Sequence, residues 1–208
     1  MSLRYSVLLL ILGALLTHAL YAWKYIDIDG IMINAYEILQ YPKIHKNIKE
    51  RGLRTFLHVD SGQTIIIDSG GYQYLKYGLD LSLDTITSLY TDLKKRCENT
   101  YFVSLDYPPS PYDNTKLRST KIYKTINNYY HLLGAVFKDD KRRLIPVVHI
   151  VYDFELLKKQ IKAYVGAEII GIGGLVPYVL GRGPRGSRLV AFAFILLVKR
   201  LLEDFVGG

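Results

Sequence analysis

The groups in this 208-residue sequence best placed for chemistry are two aspartates, a histidine and a glycine pair, each at the end of an expected strand. The first is Asp68. It closes the run Ile65-Ile66-Ile67, whose β-branched side chains suit a strand buried on both faces. Ser69, Gly70 and Gly71 follow and cannot extend that strand. In a parallel sheet or barrel the loops after the strand C-termini surround the pocket while the sheet holds them rigid, which makes Asp68 a candidate reacting carboxylate. The two glycines let backbone approach a ligand closely, and Tyr72 offers a flat face for stacking on a planar ring. The same Asp-Ser-Gly-Gly also fits a plain strand followed by a capped turn. A second carboxylate, Asp106, ends the strand expected from Tyr101 to Asp106, which Pro108, Pro109 and Pro111 stop. His149 falls near the tip of a strand from Leu144 to Ile150, where a histidine paired with a loop is an equally good reading. Gly173 and Gly174 end one from Glu168 to Ile172.

These tips need a scaffold, and the chain supplies a repetition of strand and helix. Ser6 to Leu12 reads as a first strand and Ala14 to Lys24 as its helix, split at Gly13. Gly30 to Asn34 is a short apolar strand, and Ile44 to Lys49 lies in a polar helical stretch. Ser82 caps a helix carrying Ile86, Leu89, Tyr90, Leu93 and Cys97 at helical spacing. Thr115 to Leu133 presents a stripe of Ile122, Ile126, Tyr129, Tyr130 and Leu133, with Lys116, Arg118, Lys121 and Lys124 near its start. Asp153 caps a helix carrying Phe154, Leu157, Ile161 and Tyr164, and Ser187 to Val206 forms a last, apolar, buried helix. Between them lies a basic glycine-rich loop with Arg182, Arg185 and Arg188, which lacks the Gly-Lys-Ser/Thr of a Walker A motif and is a candidate for phosphate contact.

Six strand-helix units in one domain, residues 1–208, point to an α/β fold of (β/α)8 barrel type that is incomplete, since such a barrel closes with eight strands. An open doubly wound sheet is the alternative, although no Gly-x-Gly-x-x-Gly follows the first strand. With 27 Lys plus Arg against 19 Asp plus Glu the net charge is +8, which favours polyanionic partners such as nucleic acid or an anionic membrane surface. A hydrophobic content of 50% argues against disorder. The single cysteine, Cys97, excludes an internal disulfide framework and a cysteine-rich zinc cluster and is compatible with a reducing cytoplasm. The run from Tyr5 to Trp23 carries no formally charged side chain. It is long enough for a membrane helix, which keeps a membrane-associated protein among the function classes.

Taken in order, Asn34-Ala-Tyr-Glu-Ile-Leu39, Asp68-Ser-Gly-Gly-Tyr-Gln73, Ser104-Leu-Asp-Tyr-Pro-Pro109 and Gly171-Ile-Gly-Gly-Leu-Val-Pro177 resemble the motifs of the tRNA-guanine transglycosylases, at comparable spacing. That family is a (β/α)8 barrel that exchanges a guanine in tRNA for a 7-deazaguanine. The resemblance implies that Asp68 is the catalytic general acid/base and Ser69 its pocket neighbour. It implies that Tyr72 stacks on the base and that Asp106 accepts from the guanine N1 and exocyclic amine. The Gly174 N–H and Leu175 carbonyl match backbone contacts to the base. Where the family has Val-Gln-Gly this chain has Val148-His149-Ile150, so His149 stands in for an amide that donates to the base carbonyl. The family's aspartate nucleophile and its cysteine zinc site have no counterpart here. The resemblance therefore implies no metal or other cofactor in this chain, and partners comprising tRNA or another nucleic acid, guanine or a 7-deazaguanine, with a second polypeptide or a missing C-terminal part completing the barrel and supplying the nucleophile. A noncatalytic guanine or nucleic-acid binding module is the competing class.

Overall fold

The computed structural model of the chain describes residues 10–12, 29–97, 99–181 and 187–206. Within them the protein is an α/β structure with parallel sheets. The strands are β1 (Leu10–Leu12), β2 (Gly30–Asn34), β3 (Thr64–Asp68), β4 (Thr100–Val103), β5 (Leu144–Ile145), β6 (Val147–His149) and β7 (Gly171–Gly173). The helices are α1 (Ala35–Gln40), α2 (Pro42–Arg51), α3 (Leu53–Leu57), α4 (Gly71–Tyr77), α5 (Leu83–Lys94), α6 (Thr115–Ala135), α7 (Phe154–Ala163), α8 (Val176–Val179) and α9 (Ser187–Val206).

Strands β1 to β5 pair side by side in chain order, all parallel, and β6 pairs in parallel with β7. The single strand expected over residues 144–150 is interrupted at Pro146, which has no N–H to give to a ladder. The chain nevertheless carries straight through. Ile145 O accepts from Ser104 N at 2.9 Å on the β4 side, and Pro146 O accepts from Gly171 N at 2.8 Å on the β7 side. Strand order thus runs monotonically along the sequence, with no reversal of the kind a doubly wound sheet requires. Two other expected strands are shifted: β4 ends at Val103, leaving Asp106 in the following loop, and β7 covers 171–173, where it pairs with β6.

The two faces of the sheet are covered differently. Ile31, Ile33, Ile65, Ile67, Phe102, Leu144 and Val148 pack into one large core with the helices, the strand members of which are almost wholly inaccessible. Each such side chain contributes roughly 1.5–3 kcal/mol by leaving water. The alternate residues Ile66, Val103, Ile145 and Val147, with Met32 and Tyr101 against them, form a second, smaller cluster made of strand residues alone. Alternation along β3 places Asp68 on that second face, two residues after Ile66.

Local signals set the helices. Ser82 Oγ accepts from Thr85 N and caps α5, whose buried side is Ile86, Leu89, Tyr90 and Leu93, as its spacing indicates. Asp153 accepts from Glu155 N and Leu156 N and caps α7. Two helix faces differ from expectation. Tyr130 and Phe154 are exposed, and the buried side of α6 consists of Ile122, Thr125, Asn128, Tyr129 and Leu132. α9 is buried along Ala191, Phe194, Val198 and Leu201 only, while Leu189, Phe192 and Leu196 face outward. The helix expected over residues 14–24, most of the strand over 6–12, and the apolar run from Tyr5 to Trp23 lie mainly outside the described residues. Among the described residues no helix is long and apolar enough to cross a membrane.

Candidate functional site

Asp68, the last residue of β3, is positioned from three sides. Asn34, at the tip of the neighbouring β2, caps α1 by accepting from Tyr36 N. Its amide donates to Asp68 Oδ2 at 3.2 Å and to Gln73 Oε1 at 2.8 Å. One side chain thereby ties together two strand tips and two helices. Gly70 N donates to the same Asp68 oxygen at 3.2 Å, from a backbone at φ 98° that side chains with a Cβ rarely adopt. Burial is the main reason the Asp68 carboxyl is raised from 3.8 to about 7, and the nearby Asp106 charge adds to it; the Gly70 and Ser69 N–H groups pull the other way. A carboxyl poised there exchanges its proton near neutrality, as a general acid/base requires.

Asp106 is held more completely. Ser69 Oγ donates to its Oδ1 at 2.7 Å, and His149 Nε2 lies 3.1 Å from its Oδ2, at ion-pair distance but not aligned as a hydrogen bond. Gly71 lies directly beneath: a Cβ there would come within 2.5 Å of Oδ1 and 2.6 Å of Oδ2, so only glycine lets the carboxylate settle on the start of α4. The backbone on either side of Asp106 is gripped by α6. Asn128 Nδ2 donates to Leu105 O at 3.0 Å, and Tyr107 N donates to Thr125 Oγ1 at 2.9 Å. Tyr90 OH, buried under the sheet, donates to Val103 O at 2.8 Å. The short loop after β4 is thus fixed by buried polar groups, each bond to a buried backbone group being expensive to lose.

These two carboxylates share one cavity of about 390 Å³, above the smaller strand cluster at the strand C-terminal ends, with Tyr72 of α4, Val176 and Pro177 of α8, Pro108, Gly173 and Gly174 also in its wall. Met32, Val103 and Val147 line its floor. Asp68, Tyr72, Asp106 and Gly174, expected at one site from the sequence, are therefore brought together. Ser69 is buried behind Asp106 and acts through it.

His149 is placed differently from expectation. It is fully buried, its backbone N–H and C=O are both taken by the Gln160 amide at 2.8 and 3.2 Å, and Gly173 is packed so tightly on its ring that a Cβ would lie 2.7 Å away. A side chain walled in this way does not reach a base in the cavity; it supports Asp106 from behind. The Leu175 carbonyl is likewise turned aside. It accepts from Tyr178 N and Val179 N, each at 3.0 Å, because the chain enters α8 there. Of the basic loop, Arg182 and Arg185 lie outside the described residues. Arg188 opens α9 exposed, its Nε donating to Val179 O at 3.1 Å. Among the described residues no group of three His, Cys, Asp or Glu is gathered in a way that would hold a metal ion.

Sequence reasoning gave Asn34 and Gln73 no role although both lie in the motifs it used, and it passed over Thr125, Asn128 and Gln160 altogether. Each does its work on backbone or on another polar group, which no apolar periodicity reveals. The cap position of Asn34, one residue before a helix, was the one local signal available. No model of a known protein family matches the chain, and no curated protein does.

Proposed function

We propose that the chain is the base-recognising part of a transglycosylase-type (β/α)8 barrel and acts on guanine in tRNA, exchanging it for a 7-deazaguanine. The observation that carries this reading is the meeting of Asp68, Asp106, Tyr72 and Gly174 in one cavity at the C-terminal ends of parallel strands that follow chain order among the described residues. A sheet wound in one direction with helices on one face curls toward its bare face, which becomes a barrel interior. In this assignment Asp106, an acceptor on both oxygens, takes the two donor positions of the guanine Watson–Crick edge. Tyr72 stacks on the ring, the Gly174 N–H faces its polar edge, and Asp68 carries the proton that the departing or arriving base needs.

Exchange at the ribose carbon also needs a nucleophile to split one displacement into two steps. Asp68 would have to serve as nucleophile and proton carrier at once, so the nucleophile is assigned to further strand-helix units outside these 208 residues, in the same or another polypeptide. The surface fits such an addition. β7 pairs on one side only among the described residues, and Leu189, Phe192 and Leu196 make an outward apolar row on α9.

The reading is tested by calorimetric titration of guanine into the full chain and into Asp106→Asn. The substitution replaces an acceptor by a donor facing the guanine donors, and it should weaken binding by roughly 2–3 kcal/mol, the scale of a charge-assisted hydrogen bond. Equal affinity in the two proteins would remove Asp106 from base recognition and the proposal with it.

A further inference from the structure

Asp68 and Asp106 share a cavity whose described walls carry no lysine, arginine or histidine. Two carboxylates in one poorly solvated space do not readily ionise together, so one of them keeps a proton that the other goes without. Which one keeps it depends on what lies behind each. Asp68 has the Asn34 amide and the Gly70 N–H, both at 3.2 Å and both on the same oxygen. Asp106 has the Ser69 hydroxyl at 2.7 Å and His149 Nε2 at 3.1 Å, one on each oxygen. Among the described residues His149 is the only basic side chain within ion-pair distance of either carboxylate.

His149 is wholly buried, and neither of its ring nitrogens has a hydrogen-bond partner among the described residues. The ring is not free to turn. The Gln160 amide holds the His149 backbone N–H and C=O, and a Cβ on Gly173 would stand 2.7 Å from Cε1 and 2.8 Å from Nδ1. With Nδ1 against the β7 glycines, Nε2 is left facing Asp106. A bare Nε2 would set its lone pair 3.1 Å from a carboxylate oxygen, and the two would repel; an Nε2 that carries hydrogen favours the charged carboxylate instead. The other groups near this corner do not compete for the proton. Gln160 of α7 is uncharged. The hydroxyls of Tyr90 in α5, Tyr107 in the loop and Tyr164 after α7 are all pushed up, by burial first and by the carboxylate charges among the lesser causes, so they stay neutral.

We infer that His149 is a positioning residue that keeps Asp106 ionised through a hydrogen on Nε2, and thereby leaves the shared proton of the cavity on Asp68. The division does not depend on which ligand fills the cavity. It accords with Asp68 being raised to about 7, by burial first and by the Asp106 charge second. An acceptor and a proton carrier are thus set apart by one buried ring that touches no ligand.

The test follows protons in the full chain by NMR, with carbon-13 in the aspartate carboxyls and nitrogen-15 in the histidine rings, at about pH 6, below the value of about 7 for Asp68. Asp68→Asn, Asp106→Asn and His149→Leu assign the signals. The native chain is expected to show Asp68 as the acid, Asp106 as the carboxylate, and hydrogen on His149 Nε2. His149→Leu keeps a similar volume and removes the N–H, and it should shift the proton to Asp106 in roughly half or more of the molecules. A native distribution of charge in His149→Leu would overturn the inference. So would a native chain in which Asp106 is the acid facing a bare Nε2, a result that needs no variant to fold. Neither reading involves guanine, so failure here leaves base recognition to its own calorimetric test.

Discussion

Removing the Asp68 carboxyl should change how the stability of this protein depends on pH, by an amount the structure sets. Burial, with the Asp106 charge second, raises Asp68 from 3.8 to about 7. The folded protein therefore holds a proton that the unfolded chain releases, and stability falls as pH rises from about 4 to about 7, because the folded state pays to keep or lose that proton in a poorly solvated place. Below 3.8 both states are protonated and nothing is lost. Above about 7 both are ionised and the loss is complete. At about 1.4 kcal/mol per pH unit the whole span is worth up to roughly 4 kcal/mol, and cavity water reduces it. Asp68→Asn keeps the shape and one acceptor for the Asn34 amide or the Gly70 N–H, while removing the ionisation. Urea unfolding at pH 4.5, 5.5, 6.5 and 7.5 should give a declining stability for the native chain and a flatter profile for Asp68→Asn, with the variant the more stable at pH 7.5 by about 2–4 kcal/mol. Parallel profiles would refute the claim that Asp68 carries the raised proton.

Two smaller changes probe how Asp106 is held. Gly71→Ala puts a methyl within 2.5 Å of the carboxylate and should break the 2.7 Å Ser69 bond, cutting guanine affinity by at least tenfold while the circular dichroism spectrum stays native. Thr125→Val leaves the Tyr107 N–H buried without its acceptor and should lower unfolding free energy by about 1–3 kcal/mol in urea titration, where an unchanged midpoint would mean that α6 does not fix the loop.

What the sequence made legible was whatever carried a period or a punctuation mark. The isoleucine run before Asp68, the capping Ser82 and Asp153, and the glycines after β7 place strands and helix starts within a residue or two. On α6 hydrophobic spacing found Ile122 and Tyr129, with Ile126 and Leu133 packed against the core, but it put the exposed Tyr130 in the stripe and left out the buried Thr125 and Asn128. Those two residues are buried for their bonds to the loop around Asp106, and a polar residue facing a backbone partner looks in sequence like a solvated one. The same blindness hid His149. Its position at a strand tip was visible, but the glycine packed against its ring and the Gln160 amide locking its backbone, which together wall it off from the cavity, belong to tertiary contacts. Leu175 failed for a local reason: Val176 and Pro177 start a helix there, and a carbonyl just ahead of a helix is drawn into its first turn.

The two carboxylates are unlike because their partners are unlike, and that difference assigns their work. Asp106 meets a hydroxyl on one oxygen and an imidazole nitrogen on the other, and its flanking backbone is pinned from α6. Its Oδ1 accepts from the Ser69 hydroxyl, its Oδ2 has the His149 nitrogen at 3.1 Å, and the backbone beside it cannot shift away from Thr125 and Asn128 without leaving buried polar groups unpaired. Asp68 accepts the Asn34 amide and the Gly70 N–H on one oxygen, Oδ2, and it lines the cavity. A carboxylate held in a fixed direction is suited to reading a donor pattern. A carboxyl anchored through one oxygen, and brought to about 7 by burial and by the charge of its neighbour, is suited to passing a proton through the other. On the proposed reading Asp106 would be the recognition group, and its charge is also part of the reason Asp68 is raised. The sequence devotes Ser69, Gly71, Thr125, Asn128 and His149 to holding that carboxylate and its loop in place.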